Sequence, residues 1–188
     1  MARPRSEDKR NAILAAATRV IAAQGLGAPT ALIALEAGVS NGSLFTYFKT
    51  KTDLFNDLYL ELKSGMASSA VDGLPARASL HKQLFHTWSN WMRWGSEHPE
   101  RRRALALLVV CDEITPQSRA TGHTVMAGLA ELMERCRAHG SMRNVSMSFF
   151  ASIMTSVADA TIDHMIQDPG QAEQHCKVGF DVLWRAIT

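Results

Sequence analysis

Ile33-Ala34-Leu35-Glu36-Ala37-Gly38-Val39-Ser40-Asn41-Gly42-Ser43-Leu44-Phe45-Thr46-Tyr47-Phe48 is the stretch from which the rest of the chain is best read. Its spacing predicts two short helices that meet at a four-residue turn, Ala37 to Ser40. Gly38 takes a left-handed conformation there and Val39 plugs the angle between the helices. Ser40 is placed to cap the second helix. A helix of about eight residues is marginal alone, so Leu44, Phe45 and Phe48 must hold it against neighbouring helices. The opposite face then carries Asn41, Ser43, Thr46, Tyr47 and Lys49, short hydrogen-bonding groups with a phenol and an ammonium. These suit base edges and phosphates. Gly42 costs roughly 1 kcal/mol of helix propensity relative to Ala, which makes sense where another backbone comes close. Double-stranded DNA is the partner this chemistry fits. Gly38 to Gly42 also satisfies G-x-S-x-G, but a nucleophile elbow needs a preceding strand and Ser40 follows a helix, so capping is its expected role.

Outward from this stretch the apolar spacing stays helical, as in Ile13, Leu14, Ala17, Val20, Ile21 and in Leu54, Phe55, Leu58, Tyr59, Leu62. Ser6 reads as the cap of a first helix that closes at Gln24-Gly25, and Pro29 as the first residue of a second that stops at Gly38. Thr50 to Asp53 reads as a capping box opening a fourth helix that runs to about residue 69. Asp72-Gly73-Leu74-Pro75 breaks the pattern. Beyond it, Pro and Gly punctuation predicts helices at about 77–97, 100–111, 116–139, 145–167 and 171–187. The expectation is an all-α chain of about nine helices. Its domains are a three-helix unit at 1–51 and a larger helical body at 52–188, connected by helix 52–69.

Composition bounds the function. Hydrophobic residues at 46% and charged residues at 20% of 188 describe a globular chain with a real core. The longest apolar run, Ala104 to Cys111, is eight residues. A bilayer needs about 20, and the amino terminus lacks an apolar signal core, so a cytoplasmic protein without membrane contact is expected. Cys111, Cys136 and Cys176 are odd in number and at least 25 residues apart, pointing to free buried thiols. Residues 1–51 hold seven Lys or Arg against three Asp or Glu, a +4 segment on a chain of net charge +2. That asymmetry permits a nucleic-acid surface at the amino end.

Residues 10–55 resemble the amino-terminal domain of the tetracycline-repressor (TetR) family. The residues that carry this are Arg10, Ile13-Leu14-x-Ala16-Ala17, Gly25, Ile33-Ala34-x-x-Ala37-Gly38-Val39-Ser40-x-Gly42-Ser43-Leu44-Phe45-x-Tyr47-Phe48, Lys51 and Leu54. The resemblance implies an all-helical homodimer with a DNA-binding domain on a variable ligand-binding body, acting mostly as a repressor released by a small molecule. It implies that Asn41, Ser43, Phe45 and Thr46 face the major groove. The resemblance further implies that Thr30, Tyr47 and Lys51 hold phosphates and that Arg3, Arg5 and Arg10 belong to a mobile basic arm. Ala28 and Pro29 stand where the family often has threonines, leaving backbone N–H groups at the helix start as phosphate ligands. Phe45 replaces a frequent tyrosine and keeps only packing or a thymine methyl as a contact.

The body offers a candidate effector pocket and a candidate dimer face. Trp88 and Trp91, with Phe85 and Met92 beside them, make good walls for an apolar ligand. Met126, Met154, Cys111 and Phe150 add adaptable surface, while His123 and Asp159 are placed to orient a ligand. Phe149, Ile153 and Val157 on one helix and Val178, Phe180 and Val182 on the last make faces wide enough for a second subunit. Two reading heads about 34–36 Å apart meet successive major grooves, so the expected operator is an inverted repeat. The leading expectation is a repressor released by a small hydrophobic or amphipathic effector, without cofactor or metal. An activator or a ligand-independent regulator is the alternative. An enzyme is disfavoured, since no Glu has a His three residues later for a helical di-iron site, and a helical protein-interaction module is a further class.

Overall fold

The computed structural model describes residues 3–138 and 140–188, with side chains from Ser6 onward. Ten α-helices and one short 3-10 turn make up its regular structure, with no strand among the described residues. The helices form two compact units, residues 1–64 with 98–124 and residues 65–97 with 125–188.

The first unit contains α1 (Arg3–Gln24), α2 (Thr30–Glu36), α3 (Asn41–Tyr47), most of α4 (Lys51–Val71), α6 (Pro99–Val109) and α7 (Pro116–Val125). Ser6 is not a cap, because α1 already begins at Arg3, and Pro4 is tolerated in a first turn whose N–H groups have no intrahelical partner. Ile13, Leu14, Ala17 and Ile21 of α1 are fully buried, and α1 packs on α2 and α6. Gly25, at φ 79°, ends it. Pro29 is the extended N-cap of α2 rather than its first residue.

The turn after α2 is a Schellman closure. Gly38 sits at φ 68°, Val39 N–H reaches Ala34 O at 2.9 Å, and Gly38 N–H reaches Leu35 O at 3.1 Å. Thr50 and Asp53 bond reciprocally, each backbone N–H to the other's side-chain oxygen at 3.0 Å, forming the expected box at the start of α4. Asn56, buried on α4, then ties the α6–α7 loop: its amide nitrogen donates to Glu113 O at 2.9 Å and its oxygen accepts from Thr115 N–H at 2.9 Å. Both tyrosines, Tyr47 and Tyr59, belong to this unit.

The second unit contains α5 (Leu80–Glu97), α8 (Ala127–Ala138), α9 (Met147–Gln167), α10 (Ala172–Ile187) and the end of α4. Its core gathers Leu84, Trp88 and Met92 of α5, Leu132 and Cys136 of α8, Phe150, Met154, Ala158 and Ile162 of α9, and Phe180, Leu183 and Ile187 of α10. Trp88 seals it by donating its indole N–H to Cys176 O at 2.9 Å. Gly95 lets α5 lie close to α9, since a Cβ there would stand 2.6 Å from Ile162 Cδ1. All four tryptophans, at 88, 91, 94 and 184, lie in this unit.

The run expected as one helix over 116–139 is two, α7 and α8, broken at Met126. The break falls beside the division between the units, at residues 124 and 125. Packing also divides the chain differently from the boundary read at residue 51, because residues 98–124 group with the amino-terminal helices. The apolar residues Ala104, Leu105 and Leu108 explain this, as they are the side of α6 that is buried while α6 packs on α1.

Candidate nucleic-acid interface

Helix α3 is positioned from both ends and from one side. Ser40 Oγ accepts from Ser43 N–H at 3.1 Å, capping its first turn. Leu44 and Phe48, one turn apart, are buried and anchor it. Arg10 lies over the Phe48 ring, 5.5 Å from its centroid, and pairs with Asp57 at 2.8 Å. Arg10 is therefore a brace joining α1 to α4, not part of a mobile arm, because a carboxylate and a ring face both hold its guanidinium. The side chains of Arg3 and Arg5 lie outside the described residues. Arg19 on α1 pairs with Glu36 at the end of α2 at 2.9 Å.

With the anchors facing inward, Asn41, Gly42, Phe45, Thr46 and Lys49 are exposed, as is the capping residue Ser40. Ser43 and Tyr47 are half-buried at the edges of that face. Phe45 is 39% exposed, a ring open to solvent in an otherwise polar and glycyl row. Thr46, exposed, donates its hydroxyl to Gly42 O at 3.3 Å. An added Cβ at Gly42 meets nothing within 4 Å, so the residue leaves backbone bare rather than relieving a clash inside the unit.

Of the expected phosphate ligands, Thr30 opens α2 half-buried. Lys51 is also structural, since its ammonium donates to Leu26 O at 2.8 Å and sits 5.2 Å from the Phe55 ring centroid, buttressing the α1–α2 turn. Sequence reasoning missed this bond and the Asn56 tie. A hint of the latter was available in an amide set between Phe55 and Leu58 on an apolar helix face.

The residues expected to line an effector pocket do not gather as one set. Trp88, Met92, Phe150 and Met154 meet in the second core with Trp91 packed against it. Phe85, partly exposed, meets the Phe180 ring in an edge-to-face arrangement, with centroids 4.9 Å apart. Asp159 is half-buried on α9, and Met126 is half-buried at the α7–α8 break. Cys111, buried, and His123, exposed, belong to the first unit. Burial pushes the Cys136 thiol up to about 11 and raises that of Cys176, so neither is a reactive thiolate at neutral pH.

The apolar face expected on the last two helices is there in part. Phe149, Val178 and Val182 are 53%, 48% and 55% exposed, and Ile153 and Val157 are half-buried. Phe180 is a correction: it is buried between His81, Trp88 and Trp184 and belongs to the core, not to that face. No helix among the described residues is long and apolar enough to cross a membrane.

Comparison with known proteins places this geometry. Residues 13–58 match the model of bacterial regulatory proteins of the tetR family. An uncharacterised HTH-type transcriptional regulator of Bacillus subtilis (strain 168) is 34% identical over 85 residues, covering 43% of this chain and 44% of that protein. The match thus spans less than half of that relative's length. The fold is shared with a TetR family transcription regulator from Marinobacter aquaeolei VT8, at TM-score 0.82 and 24% identity over 98% of both chains. It is shared also with the transcriptional regulator FadR of Bacillus subtilis, solved in complex with stearoyl-CoA, at TM-score 0.69 and 17% identity over 95% of this chain and 99% of that one. The helix-turn-helix segment at 13–58 is thus similar in sequence to bacterial regulatory proteins of the tetR family, and nearly the whole chain shares its fold with transcription regulators of that kind.

Proposed function

We propose that the protein is a sequence-specific transcriptional regulator, a repressor whose homodimer holds an inverted-repeat DNA operator and leaves it when a small hydrophobic or amphipathic effector binds. The observation that carries the reading is α3 itself, with Leu44 and Phe48 buried and Asn41, Gly42, Phe45 and Thr46 exposed. An amide at Asn41 suits adenine, and the open Phe45 ring suits the one apolar group on the major-groove edges, the thymine methyl. Residues 1–51 are the reading head, with phosphates held by Lys49, Tyr47, Lys51 and the start of α2. The exposed valines of α10 with Phe149 on α9 supply the face for a second copy, which sets two heads on successive major grooves. The body takes the effector, a role supported by the stearoyl-CoA complex of the fold relative. Release requires the effector to favour the non-binding geometry.

Selection of bound fragments from random DNA, followed by gel shifts, tests the reading. The expected result is an inverted repeat bound with affinity that falls steeply with salt. Replacing thymine by uracil at one half-site position should weaken the wild type and leave Phe45→Ala indifferent. Recovery of no preferred sequence overturns the regulator reading, and a direct rather than inverted repeat overturns the symmetric dimer.

A further inference from the structure

Two of the seven histidines stand side by side in the second unit. His164 lies in the last turn of α9, and His175 is the fourth residue of α10. Their ring centroids are 5.8 Å apart and their planes are inclined by 36°. His164 is exposed and His175 half-buried. Other imidazoles are engaged by the protein: His86 Nε2 donates to Asp72 O at 2.6 Å, and His81 packs edge-on against Phe180 and Trp184. Among the described residues, neither His164 nor His175 uses its ring nitrogens in a hydrogen bond to a protein group, and the two rings do not bond each other.

This pairing has the dimensions of a chelate. Neutral imidazole is the commonest side-chain ligand of a metal ion. With metal–nitrogen bonds of about 2.0–2.1 Å and tetrahedral angles, two coordinated ring centroids stand about 5 Å apart. The observed spacing is within about 1 Å of that, and small turns of two partly solvated side chains close the difference. The surroundings favour a cation. Helix α9 ends here, and the carboxyl end of a helix carries partial negative charge. Asp168, four residues after His164, and Glu173, two before His175, are exposed carboxylates. Cys176 adjoins His175 but is not a ligand, because it is buried, burial raises its thiol, and its Sγ lies 4.0 Å from Ser89 Oγ. Among the described residues no third His, Cys, Asp or Glu completes a cluster, so the remaining coordination positions fall to water. Two imidazoles select Zn²⁺, Ni²⁺ or Cu²⁺ over Mg²⁺ or Ca²⁺, which take oxygen ligands.

We propose that His164 and His175 form a two-imidazole site for a divalent transition-metal ion, with Zn²⁺ as the probe, which staples the end of α9 to the start of α10. The site is independent of the DNA and effector readings, since neither uses these residues.

Full-length protein stripped with a chelator and dialysed is titrated with zinc chloride, nickel chloride and magnesium chloride by calorimetry, and its thermal midpoint is read with and without zinc. Wild type binds one Zn²⁺ per chain and does not bind Mg²⁺. Its midpoint rises by several degrees at a hundredfold excess of zinc over the dissociation constant. His164→Ala and His175→Ala each bind Zn²⁺ at least tenfold more weakly, since losing a ligand costs no less than losing a group that orients one. His123→Ala, which removes an exposed imidazole of the first unit, keeps the wild-type affinity. In wild type the imidazole C–H resonances of both histidines shift together on adding zinc, a readout that needs no variant to fold. Four results overturn the proposal: no zinc binding up to millimolar concentration, equal affinity in wild type and both alanine variants, loss in only one of the two, or magnesium binding as tight as zinc.

Discussion

Leu44 and Phe45 are neighbours in sequence with opposite fates, and exchanging each for alanine separates stability from recognition. Leu44 is fully buried under α3, so Leu44→Ala opens a cavity and costs about 3 kcal/mol, within the range for a buried leucine. Phe45 keeps 39% of its surface exposed. Much of its ring stays hydrated in the native state, so Phe45→Ala costs roughly 1 kcal/mol. The gap of about 2 kcal/mol is about thirtyfold in the folding equilibrium. Urea unfolding followed by circular dichroism measures it, at matched protein concentration because association shifts apparent stability. Operator affinity is then compared where both variants are folded. Phe45→Ala should lose about tenfold on the selected operator and nothing on random DNA, since its ring is assigned to a base edge and not to phosphate. Equal destabilisation by the two substitutions refutes the inward-outward assignment of α3. A loss below about 1 kcal/mol for Leu44→Ala does so as well.

Other outcomes follow from the same packing. Asn56→Ala strips the α6–α7 loop of its tie to α4, leaving Glu113 O and Thr115 N–H without that partner. It should lower unfolding stability by about 2 kcal/mol, and an unchanged urea midpoint refutes the tie. Cys136 should resist iodoacetamide in the folded protein, because burial raises its thiol from 9.0 to about 11, and stoichiometric labelling of the native state by mass spectrometry contradicts this. The sign of the linked stability follows: a raised folded value favours the folded state below about 9 and loses that contribution as pH climbs through about 11.

What could be read in the residues alone was local and short-ranged. Gly38, Ser40 and the Thr50–Asp53 box act within a few residues of themselves, so their geometry is written beside them in the sequence. Arg10 was misplaced because its partners, Asp57 and Phe48, are distant in sequence, and a basic residue near a terminus looks solvated until they are known. Phe180 shares an apolar helix with Val178 and Val182, and periodicity does not say which of two apolar stripes meets the chain's own core. The break at Met126 has no proline to announce it. The pocket residues mixed two units because apolar composition marks burial without marking neighbours, so Cys111 and Trp88 looked alike.

The division of aromatic residues gives each half of the molecule its own optical reporter. Red-edge ultraviolet excitation addresses indoles alone and thus only the half that holds residues 88, 91, 94 and 184. Phenol emission and ring resonances from residues 47 and 59 watch the half that carries the reading helix. Ligand titrations and denaturation curves can be assigned to one half or the other in the unlabelled native chain.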